Sequence, residues 1–279
     1  MTERNPASPP AAETESRRSL ATVREYLDEK RGLTLADHEA EFRKTIALLR
    51  RVKEFGPGAD VLEIGSGSGW FTTLASREGY RAVGIEISWE LVEFARRRAA
   101  EAGIAAIFHE SRAERLPLPD AAFDVAYANS VMEHVKGWRD ALREAHRVLK
   151  PGGLLFIGTT NRLYPISTEI DFPFYQWLPL AVQIRIAIRR KGPDVMENGL
   201  AWNHFTPMGL RRALEETGFR QVLDVFDLVR PGDLRGVKRA AAPLLGLLRS
   251  SRAARVPFFT LISTTNLWAI KEPGRGPIP

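Results

Sequence analysis

Between residues 35 and 55 the apolar positions Phe42, Ile46, Leu49 and Val52 fall at helical spacing, and Gly56-Pro57-Gly58 ends the run. This predicts a helix leading into the domain. From Asp60 the period changes. Short apolar runs at Asp60–Ile64, Arg81–Glu86, 104–109, Phe123–Asn129 and 154–160 alternate with helical periodicity at Trp70–Arg77, Trp89–Glu101 and 138–149. That alternation predicts an α/β fold with a mainly parallel sheet covered by helices on both faces. Two later runs, 219–229 and 258–270, are rich in β-branched and aromatic residues, with no ordinary crossover helix between them. They predict a closing strand pair that completes seven strands, the last one antiparallel.

A length of 279 residues with 44% hydrophobic and 27% charged positions suits one large domain better than two. Its expected parts are a disordered tail (1–19), an N-terminal helical cap (20–56), the main domain (57–272) and a terminal tail (273–279). Two insertions interrupt the main domain. Residues 161–205 are long for a strand-to-helix connection, and residues 231–256 form a basic, helix-like segment between the last two strands. The chain has no cysteine, which excludes disulfides, thiolate nucleophiles and cysteine-ligated metals. The first residues lack the apolar core of a secretory leader, so a cytoplasmic setting is expected.

The chemistry concentrates after the first strand. Gly65, Gly67 and Gly69 alternate with Ser66 and Ser68, letting the backbone turn sharply and approach a ligand at a helix N-terminus. A dinucleotide fingerprint needs glycine at the sixth place, where this chain has Trp70. The second strand ends in Glu86, about 20 residues on, where an acid accepts hydrogen bonds from ribose hydroxyls.

Four segments in order, VLEIGSGSGWFT (61–72), VGIEIS (83–88), AERLPLPDAAFDVAYANSVMEHV (113–135) and LREAHRVLKPGGLLFIGTT (142–160), resemble class I S-adenosylmethionine-dependent methyltransferases. The likeness is to the group that includes quinone-biosynthesis and many natural-product enzymes. It covers roughly residues 35–157. It implies a Rossmann-like fold with S-adenosylmethionine as cofactor. By this resemblance Glu63 and the loop Gly65, Ser66, Gly67 and Gly69, with Trp70 at its end, hold the methionine part. Glu86 holds the ribose and Ile87 lies along the adenine. Arg112 stands where family members usually carry an adenine-binding aspartate, which leaves that contact to the backbone of Ala113 and Glu114. Asn129 and Ser130 face the reacting sulfonium, with Glu133 and His134 behind them.

Methyl transfer is an in-line displacement, so the protein mainly aligns donor and acceptor and excludes water. A hydroxyl acceptor also benefits from a base. The candidates are His134, after the fourth strand, His204, just before a helix, and Tyr164; His38 is placed to line the site if its helix caps it. His109 and His146 read as structural. Asn129 is followed by Ser-Val-Met rather than the Pro-Pro-Tyr of enzymes that methylate adenine or glutamine amines.

Tyr164, Phe172, Phe174, Tyr175, Trp177 and Trp202, with Val182, Ile184, Ile186 and Ile188, make 161–205 an apolar acceptor lid. The expected partner is therefore a small molecule, O-methylated: a secondary metabolite, sugar, quinone or lipid-linked precursor. An RNA or other macromolecular acceptor, and a cofactor-binding module without turnover, are the alternatives, with nucleic acid less favoured. The net charge of +6 gathers at Arg185, Arg189, Arg190 and Lys191, and again at Arg235, Lys238, Arg239, Arg249, Arg252 and Arg255. These clusters read first as solvated faces and second as peripheral contacts to an anionic membrane. Residues 172–188 are too short and too broken by proline to span a bilayer. The pattern leaves the oligomeric state open.

Overall fold

In the computed structural model β1 (Asp60–Ile64) lies near the middle of a seven-stranded sheet, which is why Val61, Leu62 and Ile64 are all buried. The structure describes residues 21–167, 170, 172–193, 195–196, 200–233 and 242–272. The expected tails, and the basic residues Arg235, Lys238 and Arg239, lie outside them.

The strand order is β3-β2-β1-β4-β5-β7-β6, with β2 (Arg81–Glu86), β3 (Ile107–Glu110), β4 (Phe123–Asn129), β5 (Leu149–Thr160), β6 (Phe219–Asp224) and β7 (Thr264–Lys271). The first five strands pair in parallel, and β7 runs antiparallel to both β5 and β6. From β1 the chain builds outward through β2 and β3, then returns to place β4 on the opposite side. That reversal opens a crevice at the carboxyl ends of β1 and β4, the usual ligand position in such sheets.

Ten helices occur among the described residues: α1 (Ala21–Arg31), α2 (Leu35–Val52), α3 (Trp70–Arg77), α4 (Trp89–Glu101), α5 (Trp138–Val148), α6 (Leu180–Lys191), α7 (Pro207–Thr217), α8 (Val225–Leu228), α9 (Ala242–Ser250) and α10 (Val256–Phe259). One sheet face receives Phe42, Ile46 and Leu49 of α2 with Phe71 and Leu74 of α3. The other receives Ala141 and Leu142 of α5 with Leu210 and Leu214 of α7. On the first face an aromatic ladder crosses the strands. Phe71 stacks on Tyr127 at 4.2 Å, Tyr127 on Phe156 at 5.1 Å, and Phe156 meets Trp268 at 5.2 Å.

Several boundaries differ from the pattern. The run 104–109 becomes strand only at Ile107, because Gly103 turns left-handed and Ile104 donates back to the Ala99 carbonyl. The run 219–229 stops being strand at Asp224, whose side chain accepts from the Phe226 amide while Asp227 accepts from the Asp224 amide. This reciprocal cap starts α8. In the run 258–270, the first residues close α10, so the strand begins at Thr264. The alternating isoleucines at 184, 186 and 188 sit on α6, which buries Gln183 and Ala187.

The basic insertion is helical at α9, but part of its charge is internal. Arg255 is buried, with its guanidinium 2.6 Å from both Asp224 and Asp227, and Arg211 reaches Asp224 at 2.9 Å.

Candidate cofactor and acceptor site

Glu63 faces inward at the end of β1 and accepts from the Thr72 hydroxyl at 2.6 Å and the Thr72 amide at 3.0 Å. Burial pushes its carboxyl up to about 8, against those two donors. The loop beyond it turns at Gly69, the left-handed N-cap of α3 (φ 74°). A Cβ there would lie 2.4 Å from the Ala95 Cβ and 2.9 Å from Phe108. At Gly65 a Cβ would lie 2.3 Å from Val131, the residue after Ser130. The glycines thus let the loop press against α4 on one side and the end of β4 on the other.

Glu86 gathers three backbone donors: Gly67 N at 2.9 Å, Ile87 N at 2.8 Å and Ser88 N at 3.1 Å. One carboxylate therefore ties the glycine loop to the end of β2. Burial raises its pKa despite these bonds, and His134 lies close enough to oppose that rise. The Ser66 hydroxyl is buried without a partner, and Ile87 is exposed.

The remaining cofactor candidates are spread around this centre. Ala113 is buried, while Arg112 is exposed and pairs with Glu114 at 3.2 Å. Arg112 is thus turned to a neighbouring acid. Asn129 and Ser130 are exposed at the end of β4; Ser130 has a left-handed backbone (φ 56°) and donates to the Gly158 carbonyl. Trp70 stacks on His38 of α2 at 5.0 Å. His38 is therefore a cap contact of the loop's last residue.

The three candidate bases differ. His134 directs Nδ1 to the Leu200 carbonyl at 3.1 Å, so Nδ1 donates and the ring's orientation is fixed. Beside it Glu133 is buried, accepts from the Thr159 hydroxyl at 2.9 Å, and is raised by burial. His204 directs Nε2 to the Gln183 Oε1 of α6 at 2.5 Å, and its Nδ1 is buried without a partner. Burial, then the charge of Arg162, lowers it to about 4, so it is neutral at pH 7. Tyr164 is half-buried in the turn after β5. Among the described residues its hydroxyl makes no hydrogen bond to either histidine. His109 is exposed on β3, and His146 packs edge-on against Phe219.

Two residues escaped the sequence reading. Tyr26 of α1 lies over the loop: a Cβ on Gly67 would come 2.9 Å from its hydroxyl, which bonds Ser68. Arg98 of α4 is buried and donates to the Lys30 and Leu33 carbonyls at 3.1 and 2.7 Å, holding the end of α1. The only local signal was the helical spacing of Val23, Tyr26 and Leu27, which pack on Leu91 and Phe94.

Residues 62–157, the span that holds the loop, Glu86 and His134, match the model of the methyltransferase domain family. The chain carries a class I S-adenosylmethionine-dependent methyltransferase domain. Two curated relatives agree. A probable S-adenosylmethionine-dependent methyltransferase of Mycolicibacterium smegmatis is 34% identical over 129 residues, covering 46% of this chain and 49% of the relative. A ubiquinone biosynthesis O-methyltransferase of Chelativorans is 33% identical over 155 residues, covering 54% and 60%. The chain thus spans about half the length of the curated relatives it matches. The crystal structure of an S-adenosylmethionine-dependent methyltransferase from Mesorhizobium loti shares the fold, with a TM-score of 0.54 at 18% identity over 81% of this chain and 96% of that one.

The residues present fit the cofactor of this domain. Two buried carboxylates, an unpartnered buried Ser66 hydroxyl and glycines with no room for a Cβ surround one loop at the topological switch.

Proposed function

We propose that the protein methylates an oxygen of a small, largely apolar acceptor, using S-adenosylmethionine. The observation that carries this reading is the grouping of Glu63, the Gly65–Gly69 loop and Glu86 with His134, whose ring is tied to the segment 161–205 through the Leu200 carbonyl. S-Adenosylmethionine supplies an electrophilic methyl group when bound. Glu86 would accept from its ribose hydroxyls, and the loop amides with Ser66 would take its carboxylate end. Glu63 keeps α3 in place through Thr72, so that the helix N-terminus stays directed at the loop.

The acceptor side is built by 161–205. Ile170, Tyr175, Ala187 and Leu200 form its own small core, and His204 and Leu200 join it to Gln183 and His134. His134, whose Nδ1 donates to the Leu200 carbonyl, has Nε2 left to take an acceptor proton. His204 has the same capacity at Nδ1, with its proton affinity lowered by burial. Oxygen is favoured because a neutral imidazole suits a hydroxyl acceptor near pH 7, and the Chelativorans relative bears an O-methyltransferase name.

Titration calorimetry with S-adenosylmethionine is the first test: purified protein that binds none sinks the proposal. A methyl-transfer screen over phenols, quinols, sugars and carboxylic acids, read by mass spectrometry, then identifies the acceptor atom. His134→Asn should lower turnover on the hit far more than it changes cofactor affinity.

A further inference from the structure

Residues 172–193 present apolar and basic side chains together to solvent. Phe174 and Trp177 are each 51% exposed, with ring centres 5.0 Å apart. Phe174 is held out by a left-handed backbone (φ 59°), which a bulky residue rarely adopts, and its amide donates to the Pro165 carbonyl. The Trp177 indole donates to the Arg162 carbonyl, which fixes the ring on the surface. On α6 the buried side is Gln183 and Ala187, and the opposite side carries Val182, Arg185, Ile188 and Arg189, all exposed.

Arg185 and Arg189 make no hydrogen bond or ion pair among the described residues. No acid occurs from residue 172 to 193; the nearest in sequence, Asp171 and Asp194, lie outside the described residues. No helix among the described residues is long and apolar enough to cross a membrane. Exposed aromatics beside an apolar helix face studded with arginines have the composition of an interfacial surface: rings enter the headgroup boundary while guanidinium groups meet anionic headgroups.

We propose that the face built by Phe174, Trp177 and the Val182–Arg185–Ile188–Arg189 side of α6 docks on an anionic lipid surface. The surface lies on the acceptor-side segment and does not depend on which acceptor is methylated.

The test is co-sedimentation of the full chain with phosphatidylcholine vesicles made with or without phosphatidylglycerol. The protein should pellet with the anionic vesicles, and salt should weaken the association. Arg185→Gln/Arg189→Gln should lower partitioning about 25-fold, at roughly fivefold per basic side chain near the surface. Trp177→Ala should lower it as well. Both variants should keep the wild-type circular dichroism spectrum and S-adenosylmethionine affinity. Those controls separate loss of docking from loss of fold, and separate this proposal from the cofactor reading. Absence of binding to anionic vesicles would overturn it, as would a double variant that binds them like wild type. Self-association abolished by Trp177→Ala without vesicle binding would assign the face to a second copy. RNA retention abolished by the arginine changes without vesicle binding would assign it to nucleic acid.

Discussion

Replacing Gly69 by alanine tests whether the loop is shaped by packing as well as by backbone freedom. Gly69 sits at φ 74°, and a Cβ would be 2.4 Å from the Ala95 Cβ, 2.9 Å from Phe108 and 3.1 Å from the Ala95 Cα. The last of these is backbone on a helix and cannot rotate away. Gly152 provides the control, with φ 73° and nothing within 4 Å of its Cβ position. The left-handed backbone alone costs alanine about 1 kcal/mol, which is the expected loss for Gly152→Ala. Forcing a methyl group into a filled interior adds about 1–3 kcal/mol, so Gly69→Ala should lose about 2–4 kcal/mol. Urea unfolding of both purified variants, followed by circular dichroism, measures the difference. If the two losses lie within about 0.5 kcal/mol, the spread of ordinary surface substitutions, the close approach of α4 to the loop is not what selects glycine.

Three further expectations follow from the same contacts. Tyr26→Phe removes the hydroxyl that meets Ser68 and should cost about 1 kcal/mol, with faster tryptic cleavage at Lys30 or Arg31; an unchanged cleavage rate would show that Tyr26 does not hold α1. Among the described residues, Arg255→Ala leaves Arg211 as the one remaining cation on buried Asp224 and takes the close pairing from Asp227; it should cost about 3 kcal/mol in thermal or urea unfolding, whereas a loss typical of a surface arginine would refute the buried network. His204 has its folded pKa lowered to about 4, below its ordinary 6.5, so the unfolded chain takes the proton first as pH falls. Its contribution is whole above pH 6.5 and is lost toward pH 4: the stability advantage of wild type over His204→Gln should shrink by roughly 1–2 kcal/mol across that window, allowing for partial exposure, and a constant difference would contradict the burial.

What the sequence disclosed depended on how local its cause was. β1, β2 and β4 were legible to the residue because strands covered on both faces read as short, mostly apolar runs between polar stops. The end of β6 was not, because Asp224 looks like any strand residue until Asp227 caps its amide. The isoleucines of α6 marked 161–205 as apolar, but the helix takes its inward side from Gln183 and Ala187, which hydropathy ranks below their neighbours. At the site, Glu86 was visible from its spacing after the loop, and its three amide donors all come from neighbouring turns. Tyr26 and Arg98 act across long stretches of chain, so no motif could announce them. The partner of His204 was equally hidden, since Gln183 belongs to a separately folded stretch of 161–205.

The aromatic ladder from Phe71 through Tyr127 and Phe156 to Trp268 bears on how the molecule is made. Its final rung is on β7, and β7 is also the neighbour that covers the outer edge of β5. During synthesis, the cofactor loop and its helix leave the ribosome long before that rung exists. Until β7 arrives, β5 offers an open row of backbone donors and acceptors beside unfilled aromatic surface, the condition under which strands pair with the wrong chain. Nascent chains halted before Thr264 should therefore need chaperone protection even though every residue of the glycine loop is already present.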